Sequence, residues 1–349
     1  MIYLAAYGGL CFIRAARLQA LYLPVLILLF IFSAFRFEVG CDWTGYLLQY
    51  QLQQSLGWDG ILEQREPLWW AVIQLTHWAE LPYPWLNVWS SALFFAGVHL
   101  LARRQPDPLG FIVLLYPVLI LNMPMSGIRQ AAAIGIICLA FIAFVERRPL
   151  GFTVWIVVAA GFHASAMVFI LLAPLAGGEY TKGRVILALL LALPGAWLLA
   201  SGGDAEVAIS RYVNTGINAF GAAYRTGIIF LSGLFFIIWL RRPWSLVFPQ
   251  DYRLPSLGAP MMMAVFPFVA VSSVIADRLG YYFLPLQAMI FARIPYLWRG
   301  GATPILASAP YIGLGLVLGV WTMTSPIFSL CYLPYKTWLF GYPEAVKII

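Results

Sequence analysis

The chain alternates long apolar runs with short polar breaks, many of them carrying arginine. The runs are 2–13, 20–35, 84–102, 108–122, 128–145, 150–161, 164–176, 184–200, 226–240, 257–275, 279–297 and 303–321. A membrane-spanning helix needs about 20 apolar residues, fewer where neighbouring helices bury it. The pattern predicts an all-α, polytopic integral membrane protein with about 12 transmembrane helices. Residues 1–349 are expected to form one polytopic membrane domain, with longer outer segments at 36–83, 201–225 and 322–349. No fixed-period repeat or low-complexity tract interrupts it. The stretch Pro67–Ala79, with Trp69, Trp70 and Trp78, is ambiguous. As a full span it would carry Arg103 and Arg104 to the outside. It is therefore read as an interfacial or re-entrant helix, a depth that suits tryptophan.

Composition supports a membrane. Of 349 residues, 62% are hydrophobic and 10% charged, against roughly 25% charged in a soluble domain. One soluble core of this length could not hide so much apolar surface, whereas lipid is itself an apolar solvent for it. Residues 2–13 lack a basic region before them and a small-residue cleavage site after them, so they are read as the first span. The four cysteines, Cys11, Cys41, Cys138 and Cys331, lack zinc-ligand spacing. A pI near 9.3 could suggest nucleic acid. The bases, however, lie in short loops between apolar runs, the pattern that sets membrane orientation.

Charge also assigns the sides. Arg14, Arg17, Arg103, Arg104, Arg147, Arg148, Lys182, Arg184, Arg241, Arg242, Arg253, Arg293 and Arg299 fall in or beside alternate connections, with only Asp107, Glu146, Glu179 and Asp251 as acids. By the positive-inside rule that face is cytoplasmic, and both termini come out on the other. Merging the two short runs around His163 into one span would invert everything after it. Cys41 and Cys331 fall outside, where oxidation is permitted. Unpaired thiols are the preferred reading there, and a disulfide tying the tail to the first outer loop is the alternative.

Several ionisable residues gather on the outer side. Arg36 and Asp42 lie where the second span leaves the membrane, Tyr46 follows them, and Glu66 precedes the tryptophan-rich helix. Arg129 and Gln130 open the fifth span behind Ser126, a candidate N-cap. A helix N-terminus beside an arginine suits an anion, phosphate above all. His163 lies at a break between two short spans, and Asp277, Arg278 and Tyr281 open the eleventh. Each has a bland alternative: an interfacial anchor for the Arg36 segment, a packed histidine at position 163. Jointly they mark a candidate site, because ionisable groups at membrane depth are costly. Asp204 and Glu206 could hold a hard cation, but a solvated loop explains them as well and metal-free catalysis is preferred.

In order, Arg36, Gly40, Asp42 and Tyr46, then Glu66-Pro67-Leu68, Ile128-Arg129-Gln130, Phe162-His163 with Ser165, Asp277-Arg278-Leu279 with Tyr281-Tyr282-Phe283, and Pro334-Tyr335 resemble the EpsG family of Wzy-type exopolysaccharide polymerases. The resemblance covers about residues 30 to 336, and its specificity lies in the order and spacing of short motifs. Cys41 departs from it, standing where threonine is common, and the chain between 176 and 256 offers no motif. The resemblance implies a GT-C-like membrane glycosyltransferase in the bacterial cytoplasmic (inner) membrane, active on the extracytoplasmic face. It would move a growing glycan from one undecaprenyl pyrophosphate to an undecaprenyl-pyrophosphate-linked repeat unit. A flippase and a chain-length regulator of the export pathway are the implied partners, with membrane lipid and without nucleic acid; no cofactor is implied. In that scheme His163, Asp42 or Glu66 is the base, while Arg36, Arg129, Gln130, Arg278, Tyr281 and Tyr46 hold pyrophosphate or sugar. The alternatives are a transporter or flippase of lipid-linked sugar and an O-antigen-ligase-like transferase.

Overall fold

The computed structural model describes residues 2–53, 58, 60–178, 181–188, 190, 221–298 and 303–342. The described residues are predominantly helical, with no strand among them and one isolated bridge pairing Arg36 with Thr337. Five helices are long and apolar enough to cross a membrane: Trp85–Ala102, Ile128–Val145, Ala222–Val247, Arg253–Ala270 and Pro304–Thr324. Shorter apolar helices cover Ile2–Ala15, Gln19–Ala34, Pro108–Ile120, Pro149–Phe162 and Ala164–Ala176. The expected run 184–200 and the loop 201–225 lie mostly outside the described residues, as do Asp204 and Glu206. The expected run 279–297 is broken: one helix ends at Tyr281 and the next begins at Leu284. Pro285 explains this, since proline lacks the N–H that would continue the ladder and disfavours helix at the residue before it.

The backbone packs as two compact units. One comprises Met1–Ile136, Val158–Ala164 and Ser308–Ile349, the other Ile137–Val157 and Ser165–Ala307.

In the first unit, α1 (Ile2–Ala15) runs antiparallel to the long helix Pro304–Thr324. The Tyr3 hydroxyl donates to the Tyr332 carbonyl at one end, and the Arg14 guanidinium covers the Tyr311 ring at the other. Helices α2 (Tyr22–Ala34) and α5 (Trp85–Ala102) are also antiparallel, because Tyr22 bonds His99, Phe30 meets Phe95, and Phe35 and Trp85 both pack on Trp338. Asp107 gathers the first end. It accepts from Arg14 at 2.9 Å and Gln19 at 3.0 Å, and caps α6 (Pro108–Leu115) through the Gly110 amide.

The segment 36–83 therefore leaves and re-enters at one end. Among its described residues the two α-helices, α3 (Trp43–Leu52) and α4 (Pro67–Trp78), have 10 and 12 residues. At 1.5 Å per residue they reach only about 15–18 Å, well short of a hydrocarbon core of about 30 Å. They fold on each other, with Tyr83 donating to the Trp43 carbonyl, Tyr50 to that of Leu81, and the Tyr50 and His77 rings stacked at 3.9 Å.

Helix α7 (Ile128–Val145) lies parallel to α5, joined where Ser90 donates to the Ile128 carbonyl. Gly97 and Gly135 set the approach: a Cβ on either would fall onto the other helix's backbone. Small residues let apolar helices close in lipid, where dispersion replaces the hydrophobic effect. Gly97→Val should thus prevent this pairing. Expression of Gly97→Val as a monodisperse, wild-type-stable protein in detergent, read by size exclusion and thermal melting, would contradict the close crossing.

In the second unit the Ala222–Val247 helix pairs antiparallel with Arg253–Ala270. Phe230 meets Phe266, Gly233 abuts the Ala259 carbonyl, and Arg241 donates to Tyr252. Gln287 fastens the helix Leu284–Arg293 to them through Ser232 at 2.7 Å. The segment Ala164–Leu172 is a 3-10 helix, which rises about 2.0 Å per residue and so carries a short sequence further than an α-helix would. Gly177 beyond it lies against Pro149 at the start of α8 (Pro149–Phe162), so the chain reverses after His163 as two short passes.

Candidate active site

Glu66 is the centre of the first unit's polar cluster, and three elements bring it its partners. It stands just before α4, where Pro67 takes the first helical position and needs no N–H partner. The start of α7 supplies Arg129, whose Nη1 donates to Glu66 Oε2 at 2.7 Å. The end of α8 supplies His163, whose Nδ1 lies 2.8 Å from Glu66 Oε1, and the Ala164 amide donates to that same oxygen at 2.9 Å. Gly161 lets α8 come close, since a Cβ there would strike the Leu68 side chain of α4.

Burial alone would push the Glu66 carboxyl up. The hydrogen bond with His163 and the Arg129 charge outweigh it and hold the group at about 2. Glu66 is therefore ionised at any physiological pH and can only accept. The hydrogen between it and His163 sits on Nδ1, so that in the neutral imidazole the lone pair is on Nε2. A carboxylate behind a histidine is the arrangement that orients a general base and stabilises the imidazolium it becomes.

The Arg129 guanidinium also lies over the Tyr46 ring at 5.6 Å, and Tyr46 packs edge-on against Trp69. Arg129 keeps 28% side-chain exposure while Glu66 keeps 9%, so the cation reaches the cluster's surface and the carboxylate does not. Gln130 is buried behind it, 4% exposed. Asp42 stands on the exposed side, its carboxylate accepting from the Ser126 hydroxyl at 3.2 Å and its amide donating back at 3.3 Å. The Ser126 side chain, expected as the cap of α7, thus turns to Asp42. Gly40 makes the approach possible: its φ is +104°, and a Cβ there would collide with the Met125 carbonyl.

Arg36 is placed differently from its expected neighbours. It is 1% exposed, with Nε donating to the Val39 carbonyl at 2.8 Å and Nη1 to that of Ser33 at 3.0 Å. It organises the turn that leads to Asp42. Around it the tail closes as the Phe37 amide donates to Lys336 and the Trp338 amide to Phe35. Cys41 and Cys331 are joined in a disulfide with Cα atoms 4.8 Å apart, which corrects the expectation of two thiols. A turn and a short helix 290 residues apart come together here, through contacts that no local pattern encodes.

The second unit carries its own polar group. Arg225 holds Asp277 by two parallel bonds of 2.7 Å and lies over Tyr281, while Ser165 bonds Tyr282 at 3.1 Å. Arg278 is half-buried on the same helix as Asp277. Arg225 was not singled out in the sequence, because its partner lies 52 residues away and neither flank carries a motif. Among the described residues no group of three or more His, Cys, Asp or Glu could hold a metal ion.

Residues 19–337 match the family model described as the EpsG family. That is most of the chain, and the protein belongs to this family, a family of Wzy-type polysaccharide polymerases. No curated protein and no solved structure matches it.

Proposed function

We propose, starting from membership of the EpsG family, that this protein polymerises lipid-linked repeat units, with His163 as base, Glu66 as the residue that positions it and Arg129 as the pyrophosphate grip. The Glu66–His163–Arg129 cluster carries this reading. The acceptor sugar hydroxyl attacks the anomeric carbon of the growing glycan. The bond from that carbon to undecaprenyl pyrophosphate breaks, and the pyrophosphate leaves with the bonding pair. The proton of the acceptor hydroxyl passes to Nε2 of His163, leaving an imidazolium that the Glu66 carboxylate stabilises.

Pyrophosphate is already a good leaving group, so the protein mainly has to meet its charge. Arg129 does so beside the first-turn amides of α7, where the helix dipole adds to it. In the second unit Arg278 and Tyr281 offer an anion contact of their own, with Asp277 held by Arg225. Arg36 moves from ligand binding to the scaffold, because it is buried and two of its donors serve carbonyls. Asp42 orients the loop before Arg129. The finer architecture, about 12 spans in a GT-C-like arrangement, belongs to the same proposal, as does a metal-independent transfer in the bacterial inner membrane. A flippase and a chain-length regulator would hand substrate in and take product on.

Purified protein given lipid-linked repeat units should produce a ladder of glycans, in the presence of a chelator as well. A single product no longer than one unit added to a foreign acceptor would favour a ligase. Substrate crossing vesicles without any lengthening would favour a flippase. Sidedness is tested separately: cysteines placed at Arg65 and Glu80 should both react with an impermeant maleimide from outside. Labelling from opposite sides would contradict the shared end of α2 and α5.

A further inference from the structure

We propose that the Cys41–Cys331 disulfide is a positioning bond for the pyrophosphate grip, so that polymerisation depends on oxidation of these two thiols outside the cell membrane. The proposal rests on the function assigned above to Arg129. A line of direct contacts runs from the bond to the cluster. Cys41 precedes Asp42, Asp42 exchanges two hydrogen bonds with Ser126, and Ser126 stands three residues before Arg129, which pairs with Glu66. The Gly40 amide donates to the Cys331 carbonyl at 2.7 Å, so the backbone is drawn in at the same point. Asp42 and Cys41 are exposed, and the disulfide adds a covalent tie beside the carboxylate that meets Ser126.

The other tail contacts are weaker or lie further from Asp42. The Lys336–Glu38 pair is about half exposed on both sides, and such pairs contribute little. The strand-like contacts at Phe35 and Phe37 hold residues upstream of the Gly40 turn, not Asp42 itself. A misplacement of the order of 1 Å at a positioning group is enough to slow a transfer reaction.

The bond forms when one thiolate attacks the disulfide of an external thiol oxidant and the second thiolate resolves the mixed disulfide. Two protons and two electrons leave the cysteines, and the oxidant departs as a dithiol. This needs the end bearing Glu66 and His163 to face an oxidising compartment.

The test uses the full-length protein in detergent. Trapping with a maleimide-polymer in denaturant should count two thiols, Cys11 and Cys138, before reduction and four after it. Reduction of the folded protein should raise the KM for the lipid-linked donor roughly tenfold or more and leave the acid limb of the pH profile in place. Cys41→Ser and Cys331→Ser should each match the reduced protein. The double variant should be no worse and should ignore reductant. Four thiols before reduction, or an unchanged donor KM after it, overturns the proposal. Where a serine variant fails to accumulate, reduction of the folded wild type still decides. A wild-type donor KM in Arg129→Lys would remove the assigned grip, whereas a donor KM unmoved by reduction would remove only the role of the disulfide, so the two failures are told apart.

Discussion

His163→Ala should abolish ladder formation while leaving binding of the lipid-linked substrate nearly intact. Proton removal is needed only on the way to the transition state, so its loss falls on kcat and not on affinity. A positioned general base contributes roughly 10²–10⁴-fold. The pH profile supplies the second readout. Glu66 has a carboxyl held at about 2, below the ordinary 4.5. A depressed carboxylate contributes stability that is fully present above the ordinary value and is lost only as pH falls toward 2. That contribution is about 3 kcal/mol across the neutral range. Glu66 thus cannot produce an acid limb near neutrality, and such a limb belongs to the imidazole. Glu66→Gln should lower the rate and move the limb to lower pH, because the carboxylate that favours the imidazolium is gone. Wild-type ladders from His163→Ala would remove it from the mechanism and turn attention to Asp42. A limb unmoved in Glu66→Gln would mean that the pair only packs.

Arg129→Lys should weaken polymerisation about a hundredfold, a loss of roughly 2–3 kcal/mol. The arginine makes at least two contacts at once: one Nη on Glu66 and its face over Tyr46. A lysine ammonium is a compact point charge that can meet Glu66 or the pyrophosphate but has no planar fork to serve both. Here the loss should appear chiefly in donor KM, in contrast to His163. Truncation to alanine should cost more, because Glu66 would keep a buried charge with one partner fewer, and removing one partner of a buried pair costs about 3–5 kcal/mol. Donor titration by isothermal calorimetry, alongside initial ladder rates, separates the two effects. Lysine at wild-type rate and affinity would assign Arg129 to structure alone.

Membrane class and helical content were legible in the sequence, with five runs matched by helices long and apolar enough to cross a membrane, because lipid imposes its demand locally. Each run must satisfy its own backbone and present apolar side chains, whatever the neighbours do. Loop charge is equally local, and it placed Arg14 and Asp107 at one end and Glu66, Arg129 and His163 at the other; the first unit's contacts have the same grouping. The split of the run 279–297 at Pro285 was also open to a stricter local reading. What only the tertiary structure decided is which charged group meets which. Glu66 became the hub over separations of 63 and 97 residues, Arg225 took Asp277 from 52 away, and Cys41 found Cys331. Arg36 is buried with two of its donors on carbonyls of its own turn. A side chain's chemistry is written in the sequence, but its partner is set by how helices cross, at closures such as Gly97 on Gly135 and Gly40 under Met125.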